Sequence, residues 1–479
     1  MASSSPDDNK IYALINYEDA YVQPLILSAL EKCLPPSRYH LITSLSDLPK
    51  PTSRLLQFVQ YEAIDWDHLT SHPTSSLANA YVIRKALIRK HYLSTTIANW
   101  VTKYPDSVLK DHVEPSVEFE VDYAEFLDDA LVEAWELKES WARNEQLDEE
   151  EGDEEAKKKR EWWILKPGMS ERGQGIRLFS SEEELTEIFE EWDPESGDDE
   201  DGDEEGDARS DDGVDKADKE KDKQEQDGII TSQLRHFIAQ PYIHPPLLLP
   251  PPQAPQATTS STSSLRKFHI RTYVLATGAL QVYIYRSMLA LFAARPYLPP
   301  WDAALQENRD EAMRAHLTNT CLQESGDREG SVGLFWDLPD EIPAQPDFSL
   351  SSSSSSSSPP GSTDWKSQIF TEIQSITGAT FEAAARGMSI HFQPLPNAFE
   401  VFGLDFMVSV ERDGGLKTWL LEVNAFPDFR QTGDDLKGLV EGLLEGVVSM
   451  GVGRFFGVGE EDGGEEKMVK VLDIDLGRR

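Results

Sequence analysis

The sequence predicts a mixed α/β (α+β) fold interrupted by disordered insertions. Three observations point to it. A strand, a helix and further strands follow one another near the N-terminus, and later apolar strands come in pairs around glycine-containing turns. Strand patterns also resume after each of three segments too polar to build a core.

Taken in order, KIYALINYEDAYVQPLILSALEKC reads as a short buried strand over residues 11–15, then a helix with apolar residues at helical spacing. HLITS and RLLQFVQYEAI read as further strands, giving a small N-terminal α/β lobe over residues 1–75. From Tyr81, YVIRKALIRKHYLSTTIANWV sets apolar residues three and four apart, with Arg84, Lys85, Arg89, Lys90 and His91 between them. That predicts one amphipathic helix with a cationic face, for which a solvated surface is the plainer reading.

The acidic run at about 193–227, PPPQAPQATTSSTSS before Leu265 and LSSSSSSSSPPGS near 350–362 hold too little apolar surface to offset their ordering entropy. They read as surface insertions in one folded unit.

The chain has 479 residues and a formal net charge of −41. Between Asp193 and Asp227 there are 18 Asp and Glu against 5 Lys and Arg, and the remainder is acidic too. Binding to DNA or RNA phosphates depends on clustered cations, so no nucleic acid partner is expected. Cys33 and Cys321 lie far apart without a C-x-x-C partner, which argues for reduced thiols rather than a disulfide framework or zinc site. MASSSPDDNK lacks the basic start and apolar core of a signal peptide, and no run of about 18 apolar residues follows. These features predict a soluble cytoplasmic protein with no membrane partner.

The stretch WWILKPGMSERGQGIRLF joins two apolar runs by a glycine-rich loop. It is not a Walker A loop, because Gln174 and Gly175 stand where Lys and Ser or Thr are needed. Nor is it a dinucleotide fingerprint, since Ile-Arg-Leu follows in place of a third glycine and a helix. Both flanks are strand-like, so the loop is a hairpin. Such a hairpin can fold over phosphates, with Lys166 as a fixed charge; a plain glycine turn fits the loop alone equally well.

FEVFGLDFMVSVERDGGLKTWLLEVNAFPDF places two apolar strands around Arg-Asp-Gly-Gly. With Asp413 and Gly414 as turn residues, Asp405 falls opposite Glu422; with Gly414 and Gly415, it falls opposite Asn424. Either register puts Asp405, Glu422 and Asn424 on one face. The other face then carries Phe402, Leu404, Phe406, Val408, Trp419, Leu421 and Val423. Clustered oxygen ligands on rigid strands suit Mg²⁺ in a nucleotide site better than they suit an ordinary polar face. In LRKFHIRTYVLATGALQVYIYRSMLALF, Lys267, His269 and Arg271 alternate on one strand face and Arg286 closes the next strand, an arrangement able to hold a phosphoryl group.

The strings WWILKPGMSERGQGI, IAQPYIHPPLLL, RKFHIRTYVL, YIYR, HLTNTC and FEVFGLDFMV with WLLEVNAFP occur in this order. Together they resemble the tubulin-tyrosine ligase family of ATP-grasp enzymes over residues 80–430, and its fungal members most. The resemblance implies an ATP-grasp fold with nucleotide between two lobes. The central lobe would span 76–265, holding the acidic insertion and a Pro/Ser linker at about 245–264. The C-terminal lobe would span 266–450, with a Ser-rich insertion at about 338–364, before an acidic tail over 451–479.

By the same resemblance, Lys166, Gly168, Arg172, Gly173 and Gly175 would contact phosphates, and Gln240, Tyr242 and Ile243 would border adenine. Lys267 and His269 would meet the nucleotide, His269 standing where the family often has Asp. Arg271, Arg286, Asn319 and Glu422 would serve catalysis, with Asp405, Glu422 and Asn424 holding Mg²⁺. The implied activity is ATP-dependent ligation of a free amino acid to a protein acceptor such as tubulin, through an acyl phosphate. A monomer is expected. A catalytically weak ATP-binding scaffold in a cytoplasmic assembly is the alternative.

Overall fold

The computed structural model describes residues 9–151, 153–168, 175–192, 234–252, 265–304, 313–318, 331–346, 364–433, 436–458 and 467–477. The acidic run, most of the Pro/Ser segment and the polyserine stretch lie outside them.

The first sheet is all parallel, in the order β2-β1-β3-β4, from β1 (Ile11–Asn16), β2 (Tyr39–Ile42), β3 (Arg54–Val59) and β4 (Ser76–Ala78). Its fourth strand begins just beyond the expected limit of the N-terminal lobe. Helix α1 (Val22–Cys33) buries Val22, Leu25, Ile26, Ala29 and Leu30, the stripe its spacing predicts. The Asp19 carboxylate accepts from the backbone N–H of Tyr21 at 2.8 Å and Val22 at 3.1 Å, satisfying donors at the start of the helix.

The single helix expected from Tyr81 is instead two, α2 (Lys85–Ile88) and α3 (Lys90–Lys103). Arg89 breaks them with extended backbone, at φ −105° and ψ 123°.

The second sheet is antiparallel, in the order β5-β8-β6-β7, from β5 (Val117–Glu120), β6 (Trp163–Pro167), β7 (Arg177–Phe179) and β8 (His236–Pro241). Helices α4 (Trp135–Glu151) and α5 (Glu182–Trp192) belong to its core through Leu137, Trp141, Ile188 and Phe189. Trp163 and Leu165 of β6 point into that core, which turns Ile164 and Lys166 to the opposite face.

The third sheet has eight strands: β9 (Leu248–Leu249), β10 (Arg266–Thr277), β11 (Gln281–Tyr285), β12 (Leu289–Phe292), β13 (Val332–Leu334), β14 (Phe399–Val410), β15 (Leu416–Ala425) and β16 (Met468–Asp473). The long β10 runs antiparallel to β14 on one side and to β11 and β12 on the other. Helix α6 (Trp365–Gly387) joins the core under Phe268, Ile270, Val274, Phe402, Leu404 and Phe406. On the opposite face, Tyr273, Leu275 and Tyr283 share a core with α1 and with helix α7 (Lys437–Val447).

Three boundary expectations need correction. The Pro/Ser linker opens with β9, whose Leu249 pairs with Arg266, and Leu247, Leu248 and Leu249 are all buried. Leu338 and Ile342, taken as insertion, are buried in the main core, and the Gln345 side chain accepts from Leu248 N–H at 2.9 Å. The acidic tail contains β16, which pairs with β11 and buries Met468, because the apolar residues of KMVKVLDI outweigh the carboxylates before them. Among the described residues no helix is long and apolar enough to cross a membrane.

Helix α6 passes close over β16, and a Cβ on Gly378 would lie 2.8 Å from the Val471 carbonyl oxygen. Alanine gains about 1 kcal/mol of helix propensity over glycine, whereas overpacking against backbone costs about 1–3 kcal/mol. Gly378→Ala should therefore lower the urea midpoint, where an unconstrained helical glycine would raise it.

Candidate active site

Asp405 lies opposite Glu422, as the first of the two registers expects, but not by the expected turn. Val410 pairs with Leu416, and Glu411 N–H donates to the Gly415 carbonyl at 2.8 Å, so the loop is Arg412-Asp413-Gly414 with Gly414 at φ +82°. Such a three-residue loop alone would set Leu421 opposite Asp405. A bulge at Leu421 absorbs the extra residue, since Phe406 pairs with Leu420 while Asp405 pairs with Glu422. The predicted core face changes accordingly. Phe402, Leu404, Phe406, Val408 and Val423 are buried in it, joined by Leu416 and Leu420. Trp419 and Leu421 are not in it: Trp419 donates to Ser409 Oγ at 2.9 Å, and Leu421 lines a cavity.

Arg271 of β10 pairs with Asp405, which pairs with Glu422, so the three stand in one row across adjacent strands. Arg271 holds Asp405 by two hydrogen bonds, from Nε to Oδ1 and from Nη2 to Oδ2, the latter at 2.8 Å. Asn424 Nδ2 donates to Glu422 at 3.0 Å and to Asp405 at 3.4 Å. Lys90 Nζ lies 3.5 Å from Glu422. Burial pushes the Glu422 carboxyl upward, but the Lys90 charge and the Asn424 amide outweigh it and hold the group well below the usual carboxylate range.

The row borders a cavity of about 710 Å³ whose other wall is the second sheet. From that wall Lys166 donates to Gln240 Oε1 at 2.7 Å, and Gln240 in turn donates to Ser116 Oγ at 2.7 Å. Burial pushes the Lys166 ammonium down to about 8. Lys267 donates to the Tyr242 hydroxyl at 3.1 Å, which lies 2.7 Å from His316 Nδ1. Burial, reinforced by the Lys166 charge, lowers Lys267 to about 7. His269 Nδ1 is 2.5 Å from Thr318 Oγ1 and its Nε2 is 3.6 Å from Asp405 Oδ1. Burial favours its neutral form against the pull of Asp405.

The structure thus brings Lys166, Gly168, Gln240, Tyr242, Ile243, Lys267, His269, Arg271, Asp405, Glu422 and Asn424 to one cavity. Strand β8 ends at Pro241, so Tyr242 and Ile243 follow the strand rather than belong to it. Gly175 sits at the hairpin's return with φ +72°, where a Cβ would meet Pro167 Cγ at 2.7 Å. Arg172, Gly173 and Asn319 lie outside the described residues. Arg286 is displaced from its expected place. It sits on the α6 face of the sheet, 5.2 Å from the Trp336 ring and 5.4 Å from Phe370, and it does not line the cavity. The strand partner of His269 is Leu291, so the neighbouring strand adds no cation there.

Sequence reasoning left Arg89 and Lys90 on a solvated helix face, yet both line the cavity. The cation cluster was visible, but helical spacing alone does not tell a cavity wall from a solvated face. Arg84 lines it as well but is largely buried, its Nε 2.9 Å from Glu400 and its guanidinium 3.9 Å from the Tyr61 ring. Glu114, lifted to about 7 by burial, also lines the cavity and had no signal in the sequence. The donor set fits Mg²⁺, with two carboxylates and an amide within hydrogen-bond reach on neighbouring strands.

The C-terminal domain of K. lactis Pby1, described as an ATP-grasp enzyme interacting with the mRNA decapping enzyme Dcp2, superposes with a TM-score of 0.62 at 34% identity. The match covers 97% of this chain and 99% of that one, and the fold is ATP-grasp. A model of the tubulin-tyrosine ligase family matches residues 134–456. A probable tubulin–tyrosine ligase of Schizosaccharomyces pombe is 38% identical over 95% of this chain and 94% of its own length. The probable tubulin–tyrosine ligase PBY1 of Saccharomyces cerevisiae is also 38% identical, but the chain spans 54% of its length. The chain belongs to the tubulin-tyrosine ligase family.

Two measurements probe this geometry. Asp405→Asn leaves the Arg271 guanidinium buried without its counter-charge and should cost about 3–5 kcal/mol in urea unfolding. Replacing both by Met and Leu should recover most of that. Bound polyphosphate favours charged lysine, so Lys267, largely neutral at pH 8 when unliganded, should take up protons as Mg-ATP binds. Titration calorimetry in buffers of differing ionisation heat should show net uptake at pH 8. The uptake should shrink at pH 6, where Lys267 is already charged, and fall in Lys267→Met.

Proposed function

We propose that the chain is an ATP-dependent ligase that joins an amino acid to a protein acceptor through an acyl phosphate. The observation that carries this reading is one cavity in which Lys267 and the row Arg271, Asp405 and Glu422, all on the large sheet, face Lys166 of the second sheet. Two cations from different sheets suit the phosphates of ATP, and two carboxylates with an amide suit the cation that accompanies them.

In the first step a substrate carboxylate oxygen attacks the γ-phosphorus and ADP departs. An amine nitrogen then attacks the acyl carbon, phosphate leaves, and the amine loses a proton to give the amide. Gln240 orients Lys166, and the Tyr242 hydroxyl orients Lys267, so both amino groups are positioned before phosphate arrives. Arg271 is held ready beside the carboxylates, where developing negative charge needs it. Asp405, Glu422 and Asn424 would hold Mg²⁺, which when bound neutralises charge on the phosphate oxygens. Met407, Leu421 and Phe426 give the cavity apolar walls that keep water from the acyl phosphate. An acidic acceptor such as a tubulin tail would meet Arg89 and Lys90 at the same wall. Relatives named as probable tubulin–tyrosine ligases support a protein acceptor, and we expect a cytoplasmic monomer.

A second reading, an ATP-binding scaffold of weak activity, is favoured by one observation. Arg286 lies on the far face of the sheet, so Arg271 is the sole arginine of the predicted pair at the cavity, and it is already engaged by Asp405. The description of K. lactis Pby1 as interacting with a decapping enzyme is in keeping with it.

Purified protein incubated with Mg-ATP, labelled tyrosine, glutamate or glycine, and cell extract should transfer label to protein. Glu422→Gln should abolish transfer. Nucleotide binding without transfer of any amino acid would establish the scaffold instead.

A further inference from the structure

Seven large apolar side chains stand exposed among the described residues, and four of them fall in one short segment from the end of β5 to the first residue of α4. Tyr123 is 53% exposed, Phe126 47%, Val132 55% and Trp135 64%. The segment is anchored by other residues, since Leu127, Leu131, Ala134 and Leu137 point into the second sheet's core. The four exposed groups are therefore not what holds it in place. Tyr123 and Phe126 meet edge to face at 6.3 Å, so part of the patch is preassembled. Glu125, Asp128, Asp129, Glu133 and Glu136 are exposed among them, and residues 121–137 contain no Lys or Arg. None of the four lines the cavity that holds Lys166 and Glu422.

We propose that this segment docks a basic, apolar peptide stretch of a partner protein. Aromatic anchors inside a charged rim are the usual composition of an interface centre, and the sign of the rim selects the partner. Carboxylates repel nucleic acid and anionic lipid. A second copy using the same surface would bring carboxylate against carboxylate. The chain's own run from 193 to 227 is acidic and is repelled likewise. This inference does not rest on the ligase reading.

The test uses the full chain and two labelled peptides, one alternating Arg with Leu and the other Arg with Ser. Fluorescence anisotropy should show salt-sensitive binding of the Arg-Leu peptide and much weaker binding of the Arg-Ser peptide. Phe126→Ala with Trp135→Ala should weaken the Arg-Leu peptide at least about tenfold, the loss expected from removing interface anchors. Glu125→Lys with Glu133→Lys should weaken it similarly, while Mg-ATP binding and the melting temperature stay unchanged in both variants. Equal peptide affinity in the wild type and both variants would overturn the proposal. So would light scattering that shows a wild-type dimer dissolved by the Trp135 substitution, which would assign the patch to a second copy.

Discussion

Arg271, Asp405 and Glu422 occupy one row across β10, β14 and β15, and the rest of the cavity is arranged around that row. Neighbouring strands are about 4.8 Å apart, so ladder hydrogen bonds, rather than loops, set the spacing of one cation and two anions. A buried carboxylate tolerates this only with its charge answered, and Arg271 answers Asp405 with two hydrogen bonds. The arrangement needs space as well. Gly403 provides it, because a Cβ there would approach Arg271 Cδ to 3.2 Å and Pro427 Cβ to 3.0 Å.

The location of the row follows from how the large sheet is covered. One face of β10 is mainly apolar, with Phe268, Ile270 and Val274 in the α6 core and the buried Thr272 hydroxyl donating to Met288 Sδ between them. The other face changes character along the strand: Lys267, His269 and Arg271 give way to Tyr273 and Leu275, which meet the core shared with α1 and α7. The polar half begins where that helical cover stops, and there the second sheet closes the space from above with Lys166 and Gln240.

Much of this was legible in the sequence, for reasons that can be named. Period-two alternation identified Lys267, His269 and Arg271 as one face, and carboxylates with an amide on a hairpin identified the other strand pair. The hairpin's length was not legible, because the turn at Gly414 and the bulge at Leu421 each add an irregularity that alternation cannot express. Their effects cancel at Asp405 and Glu422 but not at Trp419, which is why the carboxylate pair was placed correctly and part of the core face was not. Arg286 was misplaced because it follows β11 rather than closing it, and the sequence does not tell which face a residue just past a strand takes. His316, Thr318 and Glu114 reach the cavity from irregular segments, where no periodicity exists to read.

Lys166 and Lys267 belong to different sheets, yet the Lys166 charge reaches far enough to help lower Lys267. Two lysines on facing walls repel one another to the extent that both are protonated. Bridging polyanion reverses the sign of that force, turning mutual repulsion into attraction toward a shared centre. A polyanion between the two walls therefore meets a cation from each sheet, and the number of protons the two lysines hold decides how much of that charge is ready when it arrives.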